Sequence, residues 1–342
     1  MRQQLPHATT GDLPKVRKRT VPEISVVVPT HNRSGWLRTA VRSVLTQQDV
    51  DLEAIVVDDG STDGTGEALA GFGDSRLRLV RHEQPLGVGA SRNHGATEAR
   101  GRWLAFLDDD DLWAPQKLAR QLQGARRDER RWSYVGSVNI DEGFRIIAVV
   151  HPPPPHEVIT LINRRNVIPG GGSNVIVHRD AFEAVGPFDT TLKNTEDWEM
   201  WIRLAKHGVP AWVPEPLLAY RVHPTNASLD IAAIFEGVAR IERRHGVRTD
   251  QGVLHRWIGE SCLRTGERAR AMKHMALAAV NGEALNVADD ARRILERRVR
   301  RLLGMRSAPL PVTDQPWIEP ARAWLNGLAR NEADPKGSAG SP

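Results

Sequence analysis

The chain has 342 residues, 40% of them hydrophobic and 26% charged, enough for one large α/β domain and a smaller appendage. No apolar run reaches about 18 residues, so the sequence offers no transmembrane helix; the single cysteine, Cys262, excludes an intrachain disulfide and favours a cytoplasmic location. The net charge of +5 comes mostly from arginine, aromatics make up 5%, and no nucleic-acid-binding module is recognisable, so the charge fits either an Arg-rich proteome or attraction to phosphorylated substrates and anionic lipid.

Residues 1 to 22 read as a disordered basic arm. They carry the basic run Lys15 to Arg19, lack the apolar core of a secretory leader, and end at Pro22. Ile24 to Val28 is short, apolar and β-branched, which predicts a buried parallel strand. Trp36, Leu37, Ala40, Val41, Val44 and Leu45 recur at helical spacing. Leu52 to Val57 predicts a second strand, Thr65 to Ala70 a helix, Leu77 to Val80 a third strand, 89 to 99 a helix and Trp103 to Leu107 a fourth strand. This β-α-β-α-β-α-β alternation predicts a doubly wound, mostly parallel sheet, on which ligands bind beyond the carboxyl ends of the strands. Polar clusters stand at three such ends: Pro29 to Arg33, Asp58 to Ser61, and Asp108 to Asp111.

Further on, Pro152 to Pro155 reads as an extended surface run. Gly170 to Gly172 reads as a flexible loop before a strand at Asn174 to His178. Thr195 to His207 predicts a helix with Thr195 as N-cap, Trp198, Ile202 and Ala205 on one face, and Gly208 as its stop. Beyond residue 230 the pattern is helical throughout. Leu254 to Leu263 and Glu267 to Val280 form a hairpin about Thr265-Gly266. Val287, Ala291, Leu295, Val299, Leu302 and Leu303 make an apolar stripe on a helix otherwise rich in arginine. That helix is either a docked surface helix or one that meets a membrane surface or partner. Residues 331 to 342 read as a disordered tail.

The chemistry concentrates in carboxylates. Four adjacent aspartates at a strand end repel one another, and a divalent cation shared with substrate phosphates relieves that repulsion. A solvated acidic turn capping the helix after Pro115 is the plainer alternative. Asp58 to Thr65 suits a turn and N-cap on its own, but it repeats the same logic at a neighbouring strand. Glu196 and Asp197 fall in the first turn of a helix, where the dipole favours them without catalysis. The same dipole keeps Asp197 ionised as a candidate base. His223 and Arg92, taken singly, are ordinary structural residues.

Seven segments in order resemble the family 2 glycosyltransferases. They are Ser25-Val26-Val27-Val28-Pro29-Thr30-His31-Asn32-Arg33, Val56-Val57-Asp58-Asp59-Gly60-Ser61-Thr62-Asp63, Gly87-Val88-Gly89-Ala90-Ser91-Arg92-Asn93-His94-Gly95 and Phe106-Leu107 with Asp108 to Asp111. Gly186-Pro187-Phe188-Asp189, Thr195-Glu196-Asp197-Trp198 and Tyr220-Arg221-Val222-His223 follow. The resemblance implies a GT-A fold over 23–229, with a nucleotide-binding half at 23–115 and an acceptor-binding half at 116–229. A helical region at 230–330 follows it. It implies inverting transfer of a sugar from a nucleoside diphosphate, UDP before dTDP, with Mn²⁺ or Mg²⁺. Pro29, Thr30, Asn32, Arg33, Asp59, Arg92, Asp108 and Asp109 would serve the nucleotide, with Asp59 taking a hydrogen bond from the base. Asp110, Asp108 and His223 would serve the metal, Asp197 would be the catalytic base, and Glu196, Trp198, Gly171 and Gly172 would stand on the acceptor side. Asp109, between the two DxD carboxylates, departs from the usual small residue and leaves the ligand register open.

The acceptor could be a glycan, a lipid-linked glycan, a natural product or a peptide. The Arg-rich helix leaves room for peripheral contact at the inner face of a membrane, and the C-terminal helices for homo-oligomerisation. Two readings compete: a catalytically inactive scaffold of the same fold, and a nucleotidyltransferase. Intact Asp59, Asp110 and Asp197 speak against the first. The absence of a Gly-rich phosphate loop after the first strand speaks against the second.

Overall fold

The computed structural model describes residues 21–226, 230–302 and 315–333. Residues 1–20 of the expected arm, Leu303 and residues 334–342 of the expected tail lie outside these, whereas residues 331–333 of that tail end a helix.

The first half follows the predicted alternation. Strands β1 (Ile24–Thr30), β2 (Leu52–Asp58), β3 (Leu77–Arg81) and β4 (Trp103–Phe106) alternate with helices α1 (Ser34–Leu45), α2 (Thr65–Ala70) and α3 (Val88–Glu98). β1 pairs in parallel with both β2 and β4, and β2 with β3. Every residue of β1 and β2 is buried, because helices cover both faces, and this is why these strands read as unbroken apolar runs. One face packs Val26, Val28 and Val56 against Leu37, Ala40 and Val41 of α1. The other packs Val27, Ile55 and Phe106 against Phe188, Trp201 and Ile202.

The second half extends the sheet with mixed pairing. It comprises β5 (Leu112–Trp113), α4 (Lys117–Arg127), β6 (Trp132–Ile140), β7 (Ile146–Val150), α5 (Pro155–Leu161), β8 (Ile176–His178), α6 (Arg179–Val185), α7 (Glu196–His207) and β9 (Ala211–Arg221). The order is β3-β2-β1-β4-β8-β6-β9-β5, with β7 on β6. β4–β8 and β8–β6 are antiparallel, whereas β6–β9 is parallel. Pro214 and Pro216 argue against a strand, yet β9 is inner. Its register against β6 shifts between Val135 and Ser137, so the prolines fall at a bulge, where a missing N–H costs no ladder bond.

Two local expectations change. The Pro152–Pro155 run is extended only to Pro154; Pro155 starts α5, because proline at the first helical turn gives up an N–H that has no partner there. Pro152 is buried rather than on the surface. Gly170 to Gly172 do not form an open loop: Gly171–Ser173 is a 3₁₀ turn, and Gly172 is buried.

Helices follow from α8 (Ile231–His245) through α9 (Gln251–Thr265), α10 (Arg268–Ala278), α11 (Ala284–Leu302) and α12 (Gln315–Ala333). α8 packs Ile234, Val238 and Ile241 into the α7 side of the core. Cys262 is buried with Ile258 and Ala271 as a packing residue. α12 returns to the sheet, where Ala321, Leu325 and Leu328 meet Leu112, Val138, Ile140 and Ala219. Gly136 is what admits it: a Cβ there would overlap the Trp317 ring. In α11 no described side chain, up to Glu296, is buried, and Leu285 and Leu295 are 87% and 62% exposed. This part of α11 touches the fold through Asp290, which takes Arg256 of α9 at 2.8 Å, while Ala291 and Leu295 of the expected stripe stay exposed. Among the described residues no helix is long and apolar enough to cross a membrane.

Candidate functional site

The three polar strand ends converge. The turn after β1 carries Thr30, Asn32 and Arg33. Asn32 adopts a left-handed backbone, φ +53°, a conformation that asparagine tolerates. Its Oδ1 accepts from Thr62 N at 2.8 Å and its N–H donates to Ser61 Oγ at 2.9 Å, locking the β1 turn to the β2 turn. Pro29 is buried at the end of β1.

Asp59 sits at the end of β2. Its Oδ1 accepts from His82 Nδ1 at 2.7 Å and Leu86 N at 2.9 Å, and its Oδ2 from Gly87 N at 2.8 Å. Burial alone would raise this carboxyl, but those hydrogen bonds outweigh it and hold the group below its ordinary value. His82 Nε2 continues to His94 Nδ1 at 2.8 Å. A carboxylate cannot donate, so His82 donates to Asp59 from Nδ1. Neither histidine was singled out from the sequence, where an isolated His carries no spacing signal.

In the aspartate run, Asp109 Oδ2 accepts from Thr30 Oγ1 at 2.7 Å and its Oδ1 from Arg33 at 3.2 Å, and Asp111 takes Ser173 Oγ at 2.6 Å and Arg221 N at 3.0 Å. Burial first, then the neighbouring Asp110, pushes both carboxyls upward. Asp108 Oδ1 accepts from Arg92 at 2.5 Å. Asp110 Oδ2 meets Arg33 at 2.6 Å and His223 Nε2 at 3.0 Å. Trp36, expected on the core face of α1, instead lies 4.1 Å from the His223 ring, with Arg33 over its other neighbourhood at 5.7 Å. Arg221, placed by the sequence in a motif but given no role, donates to the Asp110 carbonyl at 2.9 Å.

The far wall is α7. Thr195 holds the N-cap position but makes no side-chain cap, and its buried Oγ1 has no hydrogen-bond partner, because α8 presses Gly237 onto it. Arg92 is 2% exposed and bridges Asp108 to Glu196, the latter at 2.7 Å. Burial alone would lower its guanidinium, but Asp108 and Glu196 outweigh this and hold its proton firmly. Asp197 Oδ1 accepts from Trp198 N at 2.6 Å. Burial, then the charge of Glu196, pushes its carboxyl up to about 7, against the pull of Arg92. Trp198, expected on the acceptor side, is 6% exposed, and its indole donates to the Ile162 carbonyl; its ring belongs to the core.

The glycine turn closes this wall. A Cβ on Gly171 would stand 2.9 Å from Asp197 Oδ2, and one on Gly172 would overlap the Arg92 guanidinium. Gly172→Ala is therefore expected to cost about 1–3 kcal/mol, the usual range for overpacking. It should also lower activity by displacing Arg92. A thermal melt and a rate assay check this; an unchanged melting temperature with full activity would show that the turn yields freely.

Divalent-metal chemistry fits the donors present. Asp110 and His223 offer an oxygen and a nitrogen 3.0 Å apart, from the end of β4 and from the segment after β9. Among the described residues no three His, Cys, Asp or Glu side chains group around one point. Few protein ligands is what a cation shared with substrate phosphates requires, since Mg²⁺-type ions are held by one or two carboxylates plus phosphate oxygens.

Residues 25–186 match the family model described as Glycosyl transferase family 2. Over 206 residues the chain is 32% identical to TuaG of Bacillus subtilis, a glycosyltransferase named for teichuronic acid biosynthesis; the match covers 59% of this chain and 79% of that protein. The chain belongs to glycosyltransferase family 2. The chain is also similar to WfaP of Escherichia coli, which is named a UDP-Glc:alpha-D-GlcNAc-diphosphoundecaprenol beta-1,3-glucosyltransferase. It is 27% identical over 207 residues, covering 60% of this chain and 79% of that one. S. aureus TarS 1–349, solved with UDP-GlcNAc, superposes with a TM-score of 0.55 at 17% identity, over 91% of this chain and 90% of that one. The shared architecture is the GT-A fold. The segment matched by the family ends at Gly186, so the glycosyltransferase's Asp197 and His223 lie beyond it.

Proposed function

We propose that this glycosyltransferase moves a sugar, with inversion, from a nucleoside-diphosphate sugar to an acceptor hydroxyl. The donor is a UDP-sugar in preference to a dTDP-sugar, and a divalent cation takes part. The observation that carries the reading is a single guanidinium, Arg92, joining the Asp108 end of the acidic cluster to the Glu196–Asp197 pair. That link between the acidic cluster and a raised-pKa carboxylate supports one site for both diphosphate and acceptor.

Pro29, Thr30, Asn32 and Asp59 shape the nucleoside end. Asp108 and Asp110 supply the DxD carboxylates, and His223 stands beside Asp110. Bound there, Mn²⁺ or Mg²⁺ would neutralise charge on the leaving diphosphate. Arg33 is freed from Asp110 to face the phosphates. Asp197 Oδ2, against Gly171, accepts the proton of the acceptor hydroxyl as its oxygen attacks the anomeric carbon. Attack opposite the leaving group inverts that carbon. Trp198 N holds the other oxygen of Asp197.

The acceptor class favoured is a lipid-linked glycan, which the name of the E. coli relative supports. α11, with Leu285 and Leu295 exposed on an Arg-rich helix, is then the segment that meets the membrane. Leu285→Glu with Leu295→Glu is expected to reduce flotation with anionic liposomes severalfold and leave UDP binding intact. Equal flotation would remove α11 from that role.

The test of the function is calorimetric titration of UDP and a panel of nucleotide-sugars, with Mn²⁺ and then with chelator. Metal-dependent binding of one nucleotide supports the reading and names the donor class. No binding under either condition would favour a repurposed scaffold.

A further inference from the structure

At the opposite end of the central strands β4 and β8 lies a cavity of about 560 Å³ lined by Arg102, Arg126, Arg130, Arg131, His178 and Trp103. Trp103 opens β4, and His178 closes β8 opposite it. Asp108 follows the far end of β4. Five residues of extended chain, at about 3.3 Å each, separate the two places by about 16 Å. Nothing in the transfer reaction uses this end.

The arginines converge for local reasons. α4 ends with Glu129 in a left-handed conformation, φ +53°. Glu129 N donates to the Arg126 carbonyl at 3.2 Å, and Arg130 N to the Ala125 carbonyl at 2.7 Å. This turn closes the helix and folds Arg130 and Arg131 back beside Arg126. The Arg131 carbonyl accepts from His178 N at 2.7 Å, and the Arg102 carbonyl from Arg179 N at 2.9 Å. Both sides of the cavity are thereby pinned to the strands.

Charge on the wall is unbalanced. Arg126 pairs with Glu23, and Glu129 is the one acid lining the cavity. Among the described residues no carboxylate forms a salt bridge with Arg102, Arg130 or Arg131. Complementing the dipole at the carboxyl end of α4 explains Arg126 and Arg127. It does not explain Arg102 before β4 or Arg131 before β6. His178 accepts from Asp180 N at its Nδ1, 3.3 Å away, which leaves Nε2 as the donor of the neutral ring. Burial first, then the positive charges of Arg131, Arg102 and Arg179, outweigh Asp180 and hold that ring neutral. Trp103, 7% exposed and edge-on to His178 at 5.1 Å, is a rigid floor.

We propose that this cavity binds a phosphate-bearing anion, gripped by the guanidinium groups of Arg102, Arg130 and Arg131 above Trp103. Guanidinium forks match phosphate oxygens and keep their charge at any physiological pH. The cavity exceeds a bare phosphate and leaves room for an organic body. A soluble phosphorylated compound and a phospholipid headgroup share this chemistry.

The test titrates inorganic pyrophosphate into the whole chain by calorimetry, in chelator and low salt. Wild type is compared with Arg102→Glu/Arg131→Glu and with the milder Arg102→Gln/Arg131→Gln, which guards against misfolding. Binding is expected in wild type, weakened by about tenfold or more in both variants, as loss of charge-assisted hydrogen bonds demands. UDP affinity with Mn²⁺ should be unchanged, which separates this site from the transfer site. Sedimentation with phosphatidylglycerol vesicles, against phosphatidylcholine, separates the sources. A fall in the Glu variant assigns the headgroup; no change alongside lost pyrophosphate binding assigns a soluble ligand. Absent pyrophosphate binding, or equal binding in all three proteins, overturns the proposal.

Discussion

Replacing Asp110 with alanine is expected to abolish the metal-dependent part of UDP binding and to lower kcat by at least about 100-fold, the scale of losing a group that holds charge on a leaving phosphate. Unlike most changes to buried polar groups, it should not unfold the protein. Asp109, Asp110 and Asp111 are buried side by side, and the charge of Asp110 helps push its neighbours' carboxyls upward. Removing one charge relieves that repulsion, while Arg33 keeps Asp109 at 3.2 Å as a partner. Arg33→Met moves the other way. Its guanidinium holds the Asp110 oxygen that also meets His223, so a cation must displace it. Without nucleotide, Mn²⁺ should bind the Met variant about tenfold more tightly, since an uncompensated acidic pair attracts the ion more strongly. UDP should bind it more weakly. Mn²⁺ titration by electron paramagnetic resonance reads both proteins. Equal Mn²⁺ affinity in wild type, Asp110→Ala and Arg33→Met would put the cation elsewhere.

The parts legible in the sequence are those whose residue type is set by local burial. β1 and β2 are unbroken apolar runs because both faces are covered, and their polar ends mark the site. β9 was hidden by Pro214 and Pro216, which sit at a bulge matched by Val135 to Ser137, nearly eighty residues earlier in the chain. Gly170 to Gly172 looked flexible because three glycines permit any backbone. What requires small residues there is Leu218, Asp197 and Arg92, which arrive from other elements. The resemblance puts Trp198 on the acceptor side beside Asp197, but it packs with Trp201 and Ile202 in the core. The acidic residues of the site could be picked out one by one. Their neutralisation by Arg33 and Arg92 could not, because these arginines lie 77 and 16 residues from the carboxylates they hold.

Asp197→Asn separates catalysis from helix capping because the two roles predict opposite signs. If Asp197 only complements the dipole of α7, the amide loses up to about 1 kcal/mol of stability, and the rate follows the folded fraction. If Asp197 is the base, kcat should fall by about 10²–10⁴-fold with UDP affinity retained, since Oδ2 faces Gly171 while the acidic cluster is reached only through Arg92. Stability should then move in the other direction. Burial and Glu196 raise the folded carboxyl to about 7 from its ordinary 3.8. Between those values the folded protein holds a proton that the unfolded chain has released. Wild type therefore loses stability as pH rises through this window, with the full loss present above the folded value. The asparagine variant has no such proton to lose. Its melting temperature relative to wild type should climb from about pH 4 to about pH 7 and then level off. The wild-type rate should fall as pH drops below about 7, where the base becomes protonated. A variant less stable than wild type at pH 8, with its rate intact, would leave Asp197 as a capping residue and move the base to another group.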